Sequence, residues 1–131
     1  MRSDIAAARE KYFAAKPFDP HKNAVPAVDG DGMPAGFMTM PDLGELQIIG
    51  CKLGMEYLAI CHDEEAVEKW INTAAMITKS PELLGILFAN VFRGVNIVIG
   101  EIISNAGLRR KMTDLAVEAW DIDFDKKFGG S

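Results

Sequence analysis

The stretch SPELLGILFANVFRGVNIVIGEIIS, from Ser80 to Ser104, is the most apolar segment of the chain, and the segments around it are too polar to build a core alone. Ser80 followed by Pro81 and Glu82 reads as a helix start. A serine oxygen can accept from the first free amides, proline suits the first helical position, and an acid favours the positive end of the helix dipole. At about 100° per residue, Ala89, Arg93, Asn96 and Gly100 fall along one stripe with Asn90 beside it. Leu84, Leu87, Phe88, Val91, Val95, Val98 and Ile102 cover most of the remaining circumference. Such a helix belongs inside a domain, an oligomer or a bilayer.

The bilayer has to be weighed, because Leu83 to Ile103 matches the ~20 residues needed to span one, and Arg109, Arg110 and Lys111 follow as a basic flank. Against it stands Arg93 near the middle, at ~2.5–3.5 kcal/mol on the insertion scale, with Asn90 and Asn96 adding to the cost. A protein interior is therefore the expected surrounding, and membrane association is not favoured. A third option breaks the segment at Gly94 and makes the β-branched run from Val95 to Ile103 a strand.

With 131 residues, 49% of them hydrophobic, and a formal charge of −5, the chain fits one domain and not a disordered one. An acidic balance without an extended Lys/Arg stripe argues against nucleic acid, where binding rests on neutralising phosphates. The first sixteen residues lack the apolar run and cleavage site of a secretory signal, which sets the expectation of a cytoplasmic location. Cys51 and Cys61 agree with a reducing compartment. On one helix they lie ~15 Å apart along the axis, beyond disulfide reach.

Around the central segment, a first alanine-rich helix is expected from Ser3 or Asp4 to Lys16, ending before Pro17. Residues 17–41 carry five prolines among Gly30, Gly32 and Gly36, which disfavours helix and central strand alike. An irregular segment of that length is expected to lie in part against a surface through Phe18, Val25, Val28, Phe37, Met38 and Met40. Its run Asp29–Gly32 (DGDG) lacks the third acid and the terminal glutamate of a calcium loop and reads as a turn.

Asp42 opens a helix to Cys61 with Leu43, Leu46, Ile49, Leu53, Tyr57 and Ile60 at helical spacing. Gly50 and Gly54, four apart on one side of it, would admit a close neighbour. Asp63 caps a further helix to Lys79, with Val67, Trp70, Ile71 and Ala74 facing inward. Asn105 to Gly107 closes the central helix, and Leu108, Met112, Leu115, Val117 and Ala119 suggest one more. Trp120, Ile122 and Phe124 then alternate with Asp121, Asp123 and Asp125, a pattern open to two readings: an extended end or a continued helix.

The expected fold is mainly α: four or five helices around a central apolar helix at about 81–104, an irregular Pro/Gly-rich segment and an extended C-terminal end. Its divisions are 1–16, an N-terminal helix or arm; 17–41, irregular; 42–120, helical core; and 121–131, extended or flexible tail.

Chemistry-bearing residues are sparse. Cys61, His62 and Asp63 are consecutive, so their side chains diverge and make no relay among themselves. Cys51, Cys61, His62 and His21 include no CxxC or HxxxH pair of the kind zinc sites use. No cofactor is identified, and no catalytic residue or metal ligand is assigned. The sharpest candidate is the ligand-binding set Arg93, Asn90 and Asn96. A guanidinium on an apolar helix needs an anionic partner, either Glu45, Glu56 or a second subunit's carboxylate, or the carboxylate or phosphate of a small amphipathic ligand.

The expected function is a non-catalytic structural or accessory subunit that forms a homo-oligomer or joins a larger complex. The alternatives are a binding module for an anionic amphipathic molecule anchored by Arg93 and, behind it, a small enzyme using His62 or a cysteine.

Overall fold

The computed structural model describes residues 4–122. The chain is mainly helical, with α1 (Asp4–Ala15), β1 (Asn23–Val28), β2 (Pro34–Met40), α2 (Leu43–Ile60), α3 (Glu64–Thr78), α4 (Pro81–Asn105) and α5 (Arg109–Asp121). It divides within α4 into two compact units, one up to Val95 and one from Asn96.

Each helix of the first unit's core starts where the sequence places a cap. Asp42 accepts from the N–H groups of Gly44 and Glu45 at 2.9 and 3.2 Å, and Asp63 accepts from Glu65 and Ala66 at 3.1 and 3.2 Å. Ser80 Oγ accepts from Leu83 N–H at 3.3 Å and donates to Glu82 at 2.9 Å. Between these starts, α3 ends on Lys79 in the left-handed region at φ 56°, and the chain turns directly into α4.

The core is built from three helices. Leu46, Ile49 and Leu53 of α2 meet Trp70 and Ala74 of α3 and Leu87 and Val91 of α4. Trp70 is its hub: its ring lies 5.1 Å from Tyr57 and stacks at 5.8 Å on Phe88, and its indole N–H donates to the Leu53 carbonyl at 3.1 Å. That bond satisfies the ring's one polar atom, so burying it costs little. Ile71 and Leu43, both expected inside, are exposed at the rim.

Residues 17–41, expected to be irregular, contain an antiparallel hairpin pairing Asn23 with Met40 and Val25 with Met38. A two-stranded ribbon has only edges, so a proline's missing donor need not interrupt a ladder, and Pro26 and Pro34 are accommodated. Between the pairs Pro26–Phe37 and Val28–Pro34, Ala27 faces both Ala35 and Gly36, a bulge with Gly36 at φ 92°. The Asp29–Gly32 run is its turn, with the Asp29 carboxylate accepting from the amides of Asp31 and Met33. Val28, Met33, Phe37 and Met38 of this hairpin are more than half exposed.

α4 is helical throughout, so Gly94 does not break it before the β-branched run. In the second unit, α4 closes with a left-handed Gly107 whose N–H bonds to Ser104, while Leu108 N–H reaches back to Ile103. This crossed pair of bonds satisfies the last carbonyls and sets the start of α5. α5 stays helical through Asp121, so the tail expected from 121 does not begin there, and Ile122 is extended. The alternation with Phe124 falls partly outside the described residues.

Candidate functional site

Asn90 is buried. Its side-chain amide donates to the Ile86 carbonyl at 3.1 Å and accepts from Arg93 Nη1 at 3.4 Å. Arg93 and Asn96 are exposed. No ion pair involves Arg93 among the described residues, and the two carboxylates expected opposite it are engaged elsewhere: Glu56 with Arg9, and Glu45 with Lys22 at 3.9 Å. The guanidinium leaves α4 on a side that faces water, where hydration replaces a counter-ion. It lines neither cavity described below.

The packed side of α4 carries Leu87, Asn90, Val91 and Val95, and on this side the helix meets α2 at its glycines. A Cβ built on Gly50 would stand 2.5 Å from Asn90 Cβ, one on Gly54 2.8 Å from the Val91 carbonyl, and one on Gly94 2.9 Å from Cys51 Cα. Three glycines let α2 and α4 approach backbone to backbone. The close spacing of Gly50 and Gly54 thus has a structural use in this fold. In exchange, large apolar side chains of α4 are left outside: Phe92 is 63% exposed, Ile97 75% and Ile102 57%. α4 is the described helix long and apolar enough to cross a membrane by length and composition, with a mean hydropathy of 1.8, yet only 22% of its most apolar window is buried.

An apolar groove of about 390 Å³ lies between α1 and α2. Its floor is Ile49, Leu53, Tyr12 and Phe13. Arg9, Lys52 and Glu56 supply the polar groups. Arg9 pairs with Glu56, both partly buried, and Lys52 Nζ sits 4.8 Å from the centre of the Tyr12 ring. The volume lies in the range of small-molecule pockets, and the lining suits an aliphatic or aromatic group. Sequence reasoning missed this groove, because it needs α1 laid along α2 and nothing local in α1 specifies that. A second, more polar cavity runs past Lys22, Asp42 and Glu45.

The remaining chemistry-bearing residues do not converge. Cys51, Cys61 and His62 are exposed, and Cys61 Sγ donates to the Leu58 carbonyl at 3.6 Å. His21 Nδ1 shares a 2.7 Å hydrogen bond with Thr39, while Asp19 takes the His21 backbone N–H instead of its ring. Among the described residues no three His, Cys, Asp or Glu side chains group to hold a metal. Comparison with known protein families, characterised proteins and solved structures finds no match. The functional reading therefore rests on the chain's own surfaces.

Proposed function

We propose that the protein is a non-catalytic structural or accessory subunit of the cell interior, whose apolar faces are covered by copies of itself or by a larger protein. The observation that carries this reading is α5, which buries none of its thirteen residues although it is amphipathic. A helix of that length is marginal in water on its own and draws its stability from an apolar face packed on something else. Phe92, Ile97 and Ile102 of α4 and Phe37 and Met38 of the hairpin are further exposed apolar side chains that such a partner would cover.

Light scattering on the detergent-free protein, combined with limited proteolysis, tests the proposal. The expected result is an oligomer, or a protein held in a larger assembly, with residues 109–122 protected. A strict monomer whose 109–122 segment nonetheless resists protease would overturn it. Recovery in the membrane pellet, with release by detergent alone, would replace it with a bilayer covering α4.

A second reading is favoured by the α1–α2 groove: a binding module for an amphipathic small molecule, its apolar part on Leu53 and Phe13 and its charged end at Lys52 or Arg9. Native mass spectrometry of the purified protein should then show a retained mass that Ala8→Phe, which fills the groove, removes. A bare chain mass after gentle purification would dismiss this reading.

A further inference from the structure

The charges on α5 run the wrong way for an isolated helix. Arg109, Arg110 and Lys111 stand in its first turn, where the helix dipole is positive, and Glu118 and Asp121 stand in its last turn, where it is negative. No side chain caps its start. Arg110 pairs within the helix with Asp114 at 3.5 Å, and among the described residues Arg109, Lys111 and Glu118 have no ionic partner. Both ends of α5 therefore lack the opposite charge that would stabilise them.

From the N-cap Leu108 into the helix, Leu108, Met112, Leu115 and Ala119 recur at spacings of four, three and four residues, the spacing of a short coiled-coil seam. Leu108, Met112 and Leu115 are 37%, 39% and 45% exposed. Lys111 and Glu118 flank this seam at equivalent heptad positions, seven residues apart.

We propose that α5 is a self-association element that pairs antiparallel with α5 of a second copy of this chain. The pairing rests on the subunit reading above and names its partner. Setting Met112 against the second copy's Leu115 also sets Leu108 against its Ala119, and twofold symmetry repeats both layers. In that register Lys111 of each copy faces Glu118 of the other. The basic start of each helix then lies beside the acidic end of its neighbour, and the two dipoles oppose. A parallel arrangement would instead stack the three cations on three cations. An anionic bilayer is a poor occupant, because the three cations of α5 are balanced by Asp114, Glu118 and Asp121.

Charge reversal tests this directly. Sedimentation equilibrium at low salt, over the low to high micromolar range, should show a reversible wild-type association. Lys111→Glu and Glu118→Lys, each analysed alone, should weaken it on the order of tenfold by turning two attractive pairs into repulsive ones. An equimolar mixture of the two variants should associate as tightly as wild type, because the mixed pair restores both contacts. Each change also suits the dipole of the isolated helix better, so helicity by circular dichroism should not fall. Leu115→Ala, which alters seam volume and no charge, should weaken association as well.

A wild-type oligomer indifferent to both reversals and to Leu115→Ala would overturn the α5 pairing while leaving the subunit reading in place. Wild type monomeric throughout would overturn the pairing outright, as would α5-dependent co-sedimentation with phosphatidylglycerol vesicles in place of self-association.

Discussion

Gly50 of α2 and Asn90 of α4 lie so close that a Cβ on the glycine would stand 2.5 Å from the asparagine Cβ, with the Asn90 and Leu87 backbone within 3.2 Å. Gly50→Ala is therefore a steric test of the α2–α4 crossing. Alanine raises helix propensity by ~1 kcal/mol, but overpacking against backbone costs ~1–3 kcal/mol, and backbone moves less readily than a side chain. We expect net destabilisation. Gly85 and Gly100 meet nothing within 4 Å in the same helix-interior setting, so Gly85→Ala and Gly100→Ala should stabilise by ~0.5–1 kcal/mol. Urea unfolding of the three variants checks the opposed signs; equal effects would mean that α2 and α4 are farther apart than described.

Lys79 closes α3 with φ 56° and its N–H bonded to the Ala75 carbonyl at 2.9 Å. A side chain in the left-handed region costs roughly 1–2 kcal/mol, and glycine is free of that penalty. Lys79→Gly should raise stability by about 1 kcal/mol, after the extra entropy glycine loses on folding. The midpoint of thermal unfolding reports it, and a fall would show that the lysine side chain contributes more than its backbone costs.

The helix starts at Asp42 and Ser80 were legible because capping is local chemistry, complete within four residues. The α2 and α3 boundaries followed from it to within one residue. The hairpin was not legible: prolines and glycines argue against ordinary strands, and only the pairing of Val25 with Met38 across the turn shows a ribbon of two edges. Burial on α4 was legible in part: Leu87, Val91 and Val95 are buried as their apolar character implies. Asn90 is buried although polar, because Gly50 of a different helix admits it at close range. Arg93, singled out as an anchor, is exposed. The α1–α2 groove left no trace in the sequence beyond Tyr12 and Phe13.

Two carboxylates tie stability to acid. The Glu45 N–H holds the Asp42 carboxyl below its ordinary value of 3.8; burial opposes this, while the Gly44 N–H and the Lys22 ammonium add to it. The Glu82 carboxyl is held below 4.5 by its own N–H and then by the Ser80 hydroxyl. Because both are lower folded than unfolded, their contribution is present above those ordinary values and is lost as pH falls through 4.5 and 3.8 toward the folded values. Asp42→Asn keeps an oxygen for the Glu45 N–H but does not titrate. Its unfolding midpoint, followed from about pH 6 to about pH 3, should fall less steeply than that of wild type. A parallel fall would place the acid sensitivity elsewhere.

α1 should be the first helix to open. It buries no residue fully and is held by the partly buried Tyr12 and Phe13, the Lys52–Tyr12 contact and the Arg9–Glu56 pair. The pair's side chains are 24% and 12% exposed, shielded enough to exceed a typical surface ion pair. Glu56→Gln removes the charge and keeps an acceptor, at a cost of about 1 kcal/mol, or roughly fivefold in an opening equilibrium. Glu56 lies on α2 but outside the buried cluster of Leu46, Ile49, Leu53, Trp70, Ala74, Leu87 and Val91. Hydrogen exchange should therefore accelerate by about that factor over residues 4–15, while the amides around Leu46, Trp70 and Leu87 keep their rates. Equal acceleration at all of these positions would mean that α1 unfolds only with the core, and that the groove beneath it cannot open by itself to admit a ligand.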